Sequence, residues 1–137
     1  MGHIIKKETF VKEFIENFLP SVSLRQLKRL QCYAPNHGYL WNICEHNLVK
    51  NLKGNEAMIA YDTVDKTDAI EFQYDNGFLG DDVSVPLSKE NDTSEKINKS
   101  GLTEFYVIGK EFSWCYIVTH EPYGCGPYFI INKETNK

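Results

Sequence analysis

The residue types best suited to chemistry gather near the end of the chain. The stretch SWCYIVTHEPYGCGPYF, residues 113–129, holds His120, Glu121 and Cys125 among five aromatic side chains, two prolines and two glycines. A carboxylate beside an imidazole raises its basicity and orients it, and a thiol within reach of such a base becomes a nucleophile. That would be a small hydrolase or transferase, with His120 as the base, Glu121 beside it and Cys125 as the nucleophile. Neighbouring residues of a strand face opposite sides of a sheet, so adjacency in sequence does not by itself pair His120 with Glu121. The same residues equally suit a rigid turn in which His120 bonds to backbone and Glu121 braces the bend.

A second group, Cys32, His37, Cys44 and His46 in CYAPNHGYLWNICEH, has the ligand types and number for a tetrahedral zinc site. Its spacing is unlike that of known knuckles, with neither a CxxC pair nor an HExxH helix. Two small core cysteines and two surface histidines account for it as well, and no metal or cofactor is assigned. The chain also lacks a GxSxG elbow, a Walker loop and the HxE…PCxxC deaminase pattern. Gly101, Gly109, Gly124 and Gly126 do not have the spacing that cradles a phosphate.

Charge is divided between the two halves. Residues 1–60 carry eight Lys/Arg against five Asp/Glu, whereas residues 61–137 carry seven against fourteen. From Asp62 to Glu95, ten carboxylates face only Lys66 and Lys89. Such a surface repels nucleic acid and attracts a basic protein. Asp62, Asp65, Asp68, Glu71, Asp81 and Asp82 are the candidate steering residues, with Tyr123 as an apolar contact in the turn. A solvated acidic face that keeps the protein soluble is the simpler account of the same residues. The acidic series lacks the glycine and terminal glutamate of a calcium loop.

At 137 residues and 15.8 kDa, the chain suits one domain, residues 1–137. No run approaches the apolar length of a membrane span, and MGHIIKKETF lacks the core of a signal peptide. These features lead us to expect a cytoplasmic protein with thiols rather than disulfides and no membrane or nucleic-acid partner. Oligomeric state is left open.

The elements that would position these groups follow from hydrophobic period. Phe10, Val11, Phe14, Ile15 and Phe18 recur at helical spacing, with Thr9 as a candidate cap and Pro20 marking the end. Ser23 should cap a second helix carrying Leu24, Leu27 and Leu30. YLWNI reads as a short strand, EHNLVKNLKG as a helical turn closed by Gly54, and EAMIAYDTV as a helix capped by Asn55. AIEFQYD alternates like a strand with one wet face, and VSVPL suits an edge strand because Pro86 cannot complete an interior ladder. Residues 88–101 read as a polar, mobile connection with at most a helical turn at Glu95–Ile97. TEFYVI, SWCYIVTH and PYFIIN complete the strands, with Trp114, Tyr116 and Val118 on one face and Cys115, Ile117 and Thr119 on the other. The fold expected is α+β: N-terminal helices packed on one face of a mostly antiparallel sheet formed largely by the C-terminal half.

Trp41, the Gly54–Ala57 region, Phe112–Ser113–Trp114, His120, Glu121 and the Gly126–Phe129 segment carry a likeness across residues 39–130. The chain resembles a family of small uncharacterised bacterial proteins of Bacillus-like organisms. That resemblance implies no activity, and it implies threonine at the position of Cys115, which weighs against a catalytic role for that thiol. The compact size and acidic half also resemble bacterial immunity proteins, by analogy alone. Function is therefore read as that of a non-enzymatic binding protein that neutralises a basic partner by steric occlusion. The His120/Glu121/Cys125 enzyme and the zinc module stand as alternatives.

Overall fold

The alternating side chains of WCYIV become, in a computed structural model, an inner strand of a six-stranded sheet with both faces covered. The structure describes residues 7–29, 42–45, 47–74, 85–100, 104–119 and 127–132. Helices α1 (Lys7–Phe18), α2 (Leu24–Arg29) and α3 (Asn42–Glu45) come first, followed by strand β1 (Asn51–Lys53) and helix α4 (Asn55–Thr63). Then come β2 (Ile70–Tyr74), β3 (Val85–Pro86), a 3-10 turn (Lys89–Asn91) and α5 (Ser94–Ser100). Strand β4 (Glu104–Ile108), a second 3-10 turn (Lys110–Phe112), β5 (Trp114–Val118) and β6 (Tyr128–Ile131) complete the order. The strands lie β1-β6-β5-β4-β2-β3, and every pairing is antiparallel.

Period-two alternation divides the apolar residues between two cores. Phe72, Tyr106, Cys115, Ile117, Tyr128 and Ile130 meet Phe10, Phe14 and Phe18 of α1, with Ile43 and Cys44 of α3. Phe10 stacks on Phe72 at 4.3 Å and meets Tyr106 edge-on at 5.8 Å. On the opposite face, Phe105, Val107, Trp114, Tyr116 and Phe129 meet Ala57 and Tyr61 of α4 and Ile97 of α5. The α+β architecture with N-terminal helices on an antiparallel sheet is thus present, and α4 and α5 cover the second face.

Several local expectations are corrected. Thr9 lies inside α1, which begins at Lys7, whereas Ser23 does cap α2, its Oγ accepting the Gln26 N–H at 3.1 Å. Asn42 and Ile43, expected in a strand, are helical, because burying Ile43 and Cys44 against α1 outweighs β propensity in so short a segment. Asn47 then closes α3 in the left-handed region, φ 54°, with Asn47 N–H to Cys44 O and Leu48 N–H to Ile43 O. That early stop frees Asn51–Lys53 to pair with β6 rather than continue as helix. Gly54, at φ 61° and ψ −130°, takes the cap position expected of Asn55, in a conformation that strongly favours glycine.

Gly109 ends β4 where Trp114 folds back across it. A Cβ there would lie 2.2 Å from Trp114 Nε1, so only glycine lets the indole lie on the backbone. Lys110–Phe112 then turn the chain, with Glu111 and Phe112 at φ 57° and 55°, and Phe112 enters the core against Phe10 and Phe18.

Candidate functional site

The connection expected to be mobile is ordered by the acidic residues themselves. Ile70 and Phe72 face the α1 core, so alternation turns Glu71 to the other face, where a surface carboxylate was expected. It is instead only 8% exposed, because the chain after β3 folds over it. Glu71 Oε2 accepts the Ser88 N–H at 3.1 Å, the Ser88 hydroxyl at 3.3 Å and the Asn91 amide at 3.0 Å. Three donors on one oxygen offset much of the desolvation of a carboxylate.

Asp62 makes the second brace. Its Oδ1 accepts the Ser94 N–H at 2.8 Å and its Oδ2 accepts the Ser94 hydroxyl at 2.7 Å, fastening the first turn of α5 to the last turn of α4. Thr93 Oγ1 takes the Lys96 N–H, supplying the local cap. Between these braces the Tyr61 hydroxyl donates to Asn91 O at 2.5 Å. Tyr61 stacks on Tyr116 at 4.2 Å, and burial, foremost among the causes, pushes both phenols well above their ordinary range. The Tyr116 hydroxyl is buried without a hydrogen-bond partner among the described residues. Ser88, Asn91 and Ser94 escaped sequence reading because SKENDTSEK resembles solvated chain, and the partners it binds lie about twenty to thirty residues earlier, whereas Tyr61 was expected on the packing face of its helix and is buried there.

Asp65, Asp68 and Glu90 are exposed. Asp65 Oδ1 accepts the Thr67 hydroxyl at 2.7 Å and its N–H at 2.9 Å, and these bonds, the side-chain one first, hold its carboxyl below the usual range. Asp68 sits at φ 58° with Lys110 Nζ 3.9 Å away, a long and exposed ion pair. Lys66 lies over the Tyr61 ring at 4.6 Å. Asp68 and Asp92 line one shallow depression of about 360 Å³ with Lys66, Lys89, Pro86 and Leu87. Exposed Asp65 and Glu90 neighbour Lys66 and Lys89 of that depression in sequence and Asp68 lines it, on a shoulder whose backbone is held at Ser88 by Glu71 and at Ser94 by Asp62.

His120, Glu121, Tyr123 and Cys125 lie outside the described residues, as do Asp81, Asp82, Cys32, His37 and His46. Cys44, the described member of the zinc set, is buried among the aromatic side chains of the α1 core. Cys115 shares that core, and burial, followed by the nearby Cys44, pushes its thiol well above the ordinary range. A thiol held protonated in an apolar core is a poor nucleophile and a poor metal ligand. Among the described residues, no group of three or more His, Cys, Asp or Glu could hold a metal ion. Nor is any helix among them long and apolar enough to cross a membrane.

Residues 5–129 match the family model described as Domain of unknown function (DUF4275), and the chain belongs to that family. The match agrees with the resemblance in pointing to an uncharacterised group, and it carries no organism. No curated protein and no solved structure matches the chain.

Proposed function

We propose that this DUF4275 member is a non-enzymatic binding domain that presents a rigid acidic shoulder to a basic protein and occludes it sterically. The observation that carries the reading is the double brace, Glu71 to Ser88 and Asn91 and Asp62 to Ser94, beneath exposed Asp65, Asp68 and Glu90. A surface fixed before binding loses little entropy when a partner docks, and clustered carboxylates speed the encounter with a basic one. Asp65, Asp68 and Glu90 would make the contacts, while Asp62 and Glu71 hold the frame and add to the field. Asp81, Asp82 and Tyr123, which lie outside the described residues, are proposed as further contacts to the same partner. In this reading the domain acts in a bacterial cytoplasm in the manner of an immunity protein.

Charge reversal at matched net charge tests this. The triple variant Asp65→Lys, Asp68→Lys, Glu90→Lys is compared with a second triple variant that instead reverses exposed Glu16 on α1 and Glu56 on α4 and half-buried Glu13 on α1. Binding of an immobilised arginine-rich helical peptide is followed at low and moderate salt. The shoulder variant should lose binding and its salt dependence while the control keeps both. Equal loss in the two variants would mean that net charge alone attracts the peptide, and the proposal would fall.

A further inference from the structure

The opposite end of the sheet has different chemistry. Gly54 N–H donates to Pro127 O at 3.0 Å. Bonded and non-bonded pairs alternate along an antiparallel ladder, so two residues earlier Leu52 exchanges bonds with its partner Phe129. Asn51 and Lys53 then turn their backbone N–H and C=O groups away from β6, towards the outer edge. An independent bond gives the same phase: Asn132 N–H donates to Ser113 O at 3.0 Å, which directs Ile130 and Tyr128 to β5 and leaves Phe129 for β1. β1 ends the sheet order, and among the described residues no strand pairs with its outer side.

This open backbone edge lies beside exposed apolar surface. Leu52 is 37% exposed and Ile131 is 50% exposed. Both lie on the face of Phe129, and with Lys50 and Asn51 they line a depression of about 290 Å³. Lys50 and Lys53 are exposed at either end of the strand. The other sheet edge is less suited to pairing, since β3 has two residues and one is Pro86.

We propose that the outer edge of β1 receives an extended segment of an acidic partner protein as an added strand. The segment alternates apolar side chains, which cover Leu52 and Ile131 on the face that Lys50 also lines, with carboxylates on the opposite face, where they meet Lys53. Main-chain bonds to Asn51 and Lys53 provide the pairing, and the alternating side chains provide selectivity. A second copy of this chain is the weaker occupant, because two β1 edges side by side would crowd the lysines of both strands together. This surface is separate from the acidic shoulder, and its proposal does not rest on that one.

The probe is a short synthetic peptide of alternating valine and glutamate, titrated into isotope-labelled protein and followed by amide NMR shifts. A valine–lysine peptide and a valine–glutamate peptide N-methylated at every second residue are the controls. The amides of Asn51 and Lys53 should shift with the first peptide only. Lys53→Pro removes one outward donor together with the Lys53 ammonium, without touching the Leu52–Phe129 bonds, and should weaken binding about tenfold. The methylated peptide keeps the test decisive if that variant fails to fold. Equal binding of either control peptide, shifts confined to other residues, or no binding would overturn the proposal. So would protein-concentration-dependent shifts at Asn51 and Lys53 without peptide, which would assign the edge to self-association.

Discussion

At one end of the sheet, residues 88–97 lie over β2 and α4, held by hydrogen bonds to Glu71, Asp62 and Tyr61 and by the buried side chain of Ile97. At the other end, β1 carries Leu52 partly in solvent and turns outward a backbone edge that pairs with no strand among the described residues. The acidic end uses part of its charge as internal structure, whereas the lysine-flanked end leaves its polar backbone and apolar side chains available. Charge count alone would have ranked the two ends the other way, as one busy surface and one inert edge. Burial and hydrogen bonding decide which carboxylates a partner can reach.

If the comparison is right, perturbations of the first end should cost stability and those of the second should not. Alkali should have the largest effect, since the phenols of Tyr61 and Tyr116 are both raised above an ordinary value of 10.0. The unfolded chain releases these protons near that pH and the folded chain keeps them. Their contribution is therefore complete below pH 10.0 and is lost as pH rises towards the folded values. Urea midpoints measured across this range should fall, and the fall should flatten in the Tyr61→Phe, Tyr116→Phe double variant.

Gly109→Ala should come next, at about 3 kcal/mol, because the added carbon meets the indole of Trp114 and neither can move without disturbing the β4–β5 turn. Glu71→Ala should cost about 2 kcal/mol by leaving the Ser88 and Asn91 donors without their acceptor, and Glu71→Gln should recover part of it. Asp62→Ala, which removes the brace on α5, should cost about 1 kcal/mol. At the other end, Leu52→Ser should change stability by less than about 0.5 kcal/mol, since its side chain already contacts water. Chemical denaturation checks all four, and a Leu52→Ser loss equal to that of Glu71→Ala would erase the distinction between the ends.

Much of the architecture was legible because it depends on period. The helical spacing of Phe10, Phe14 and Phe18 and the alternation in β2, β4 and β5 specify which side chains face which core. Pro86 identified an edge strand for the same local reason. The candidate surfaces were less legible because they depend on distant partners. Glu71 looks like the wet face of a strand until Ser88 and Asn91 fold over it, and SKENDTSEK looks like a linker until Asp62 and Ile97 anchor it. NLK becomes a strand because Asn47 stops α3 and β6 lies alongside, and neither fact is contained in three residues.

Native-state hydrogen exchange at individual amides tests the contrast most directly. The amides of Ser88 and Ser94, bonded to Glu71 and Asp62, should exchange slowly, while those of Asn51 and Lys53 exchange fast beside a protected Leu52. Fast exchange at Ser88 and Ser94 together with protection at Asn51 and Lys53 would contradict both the braced shoulder and the open edge.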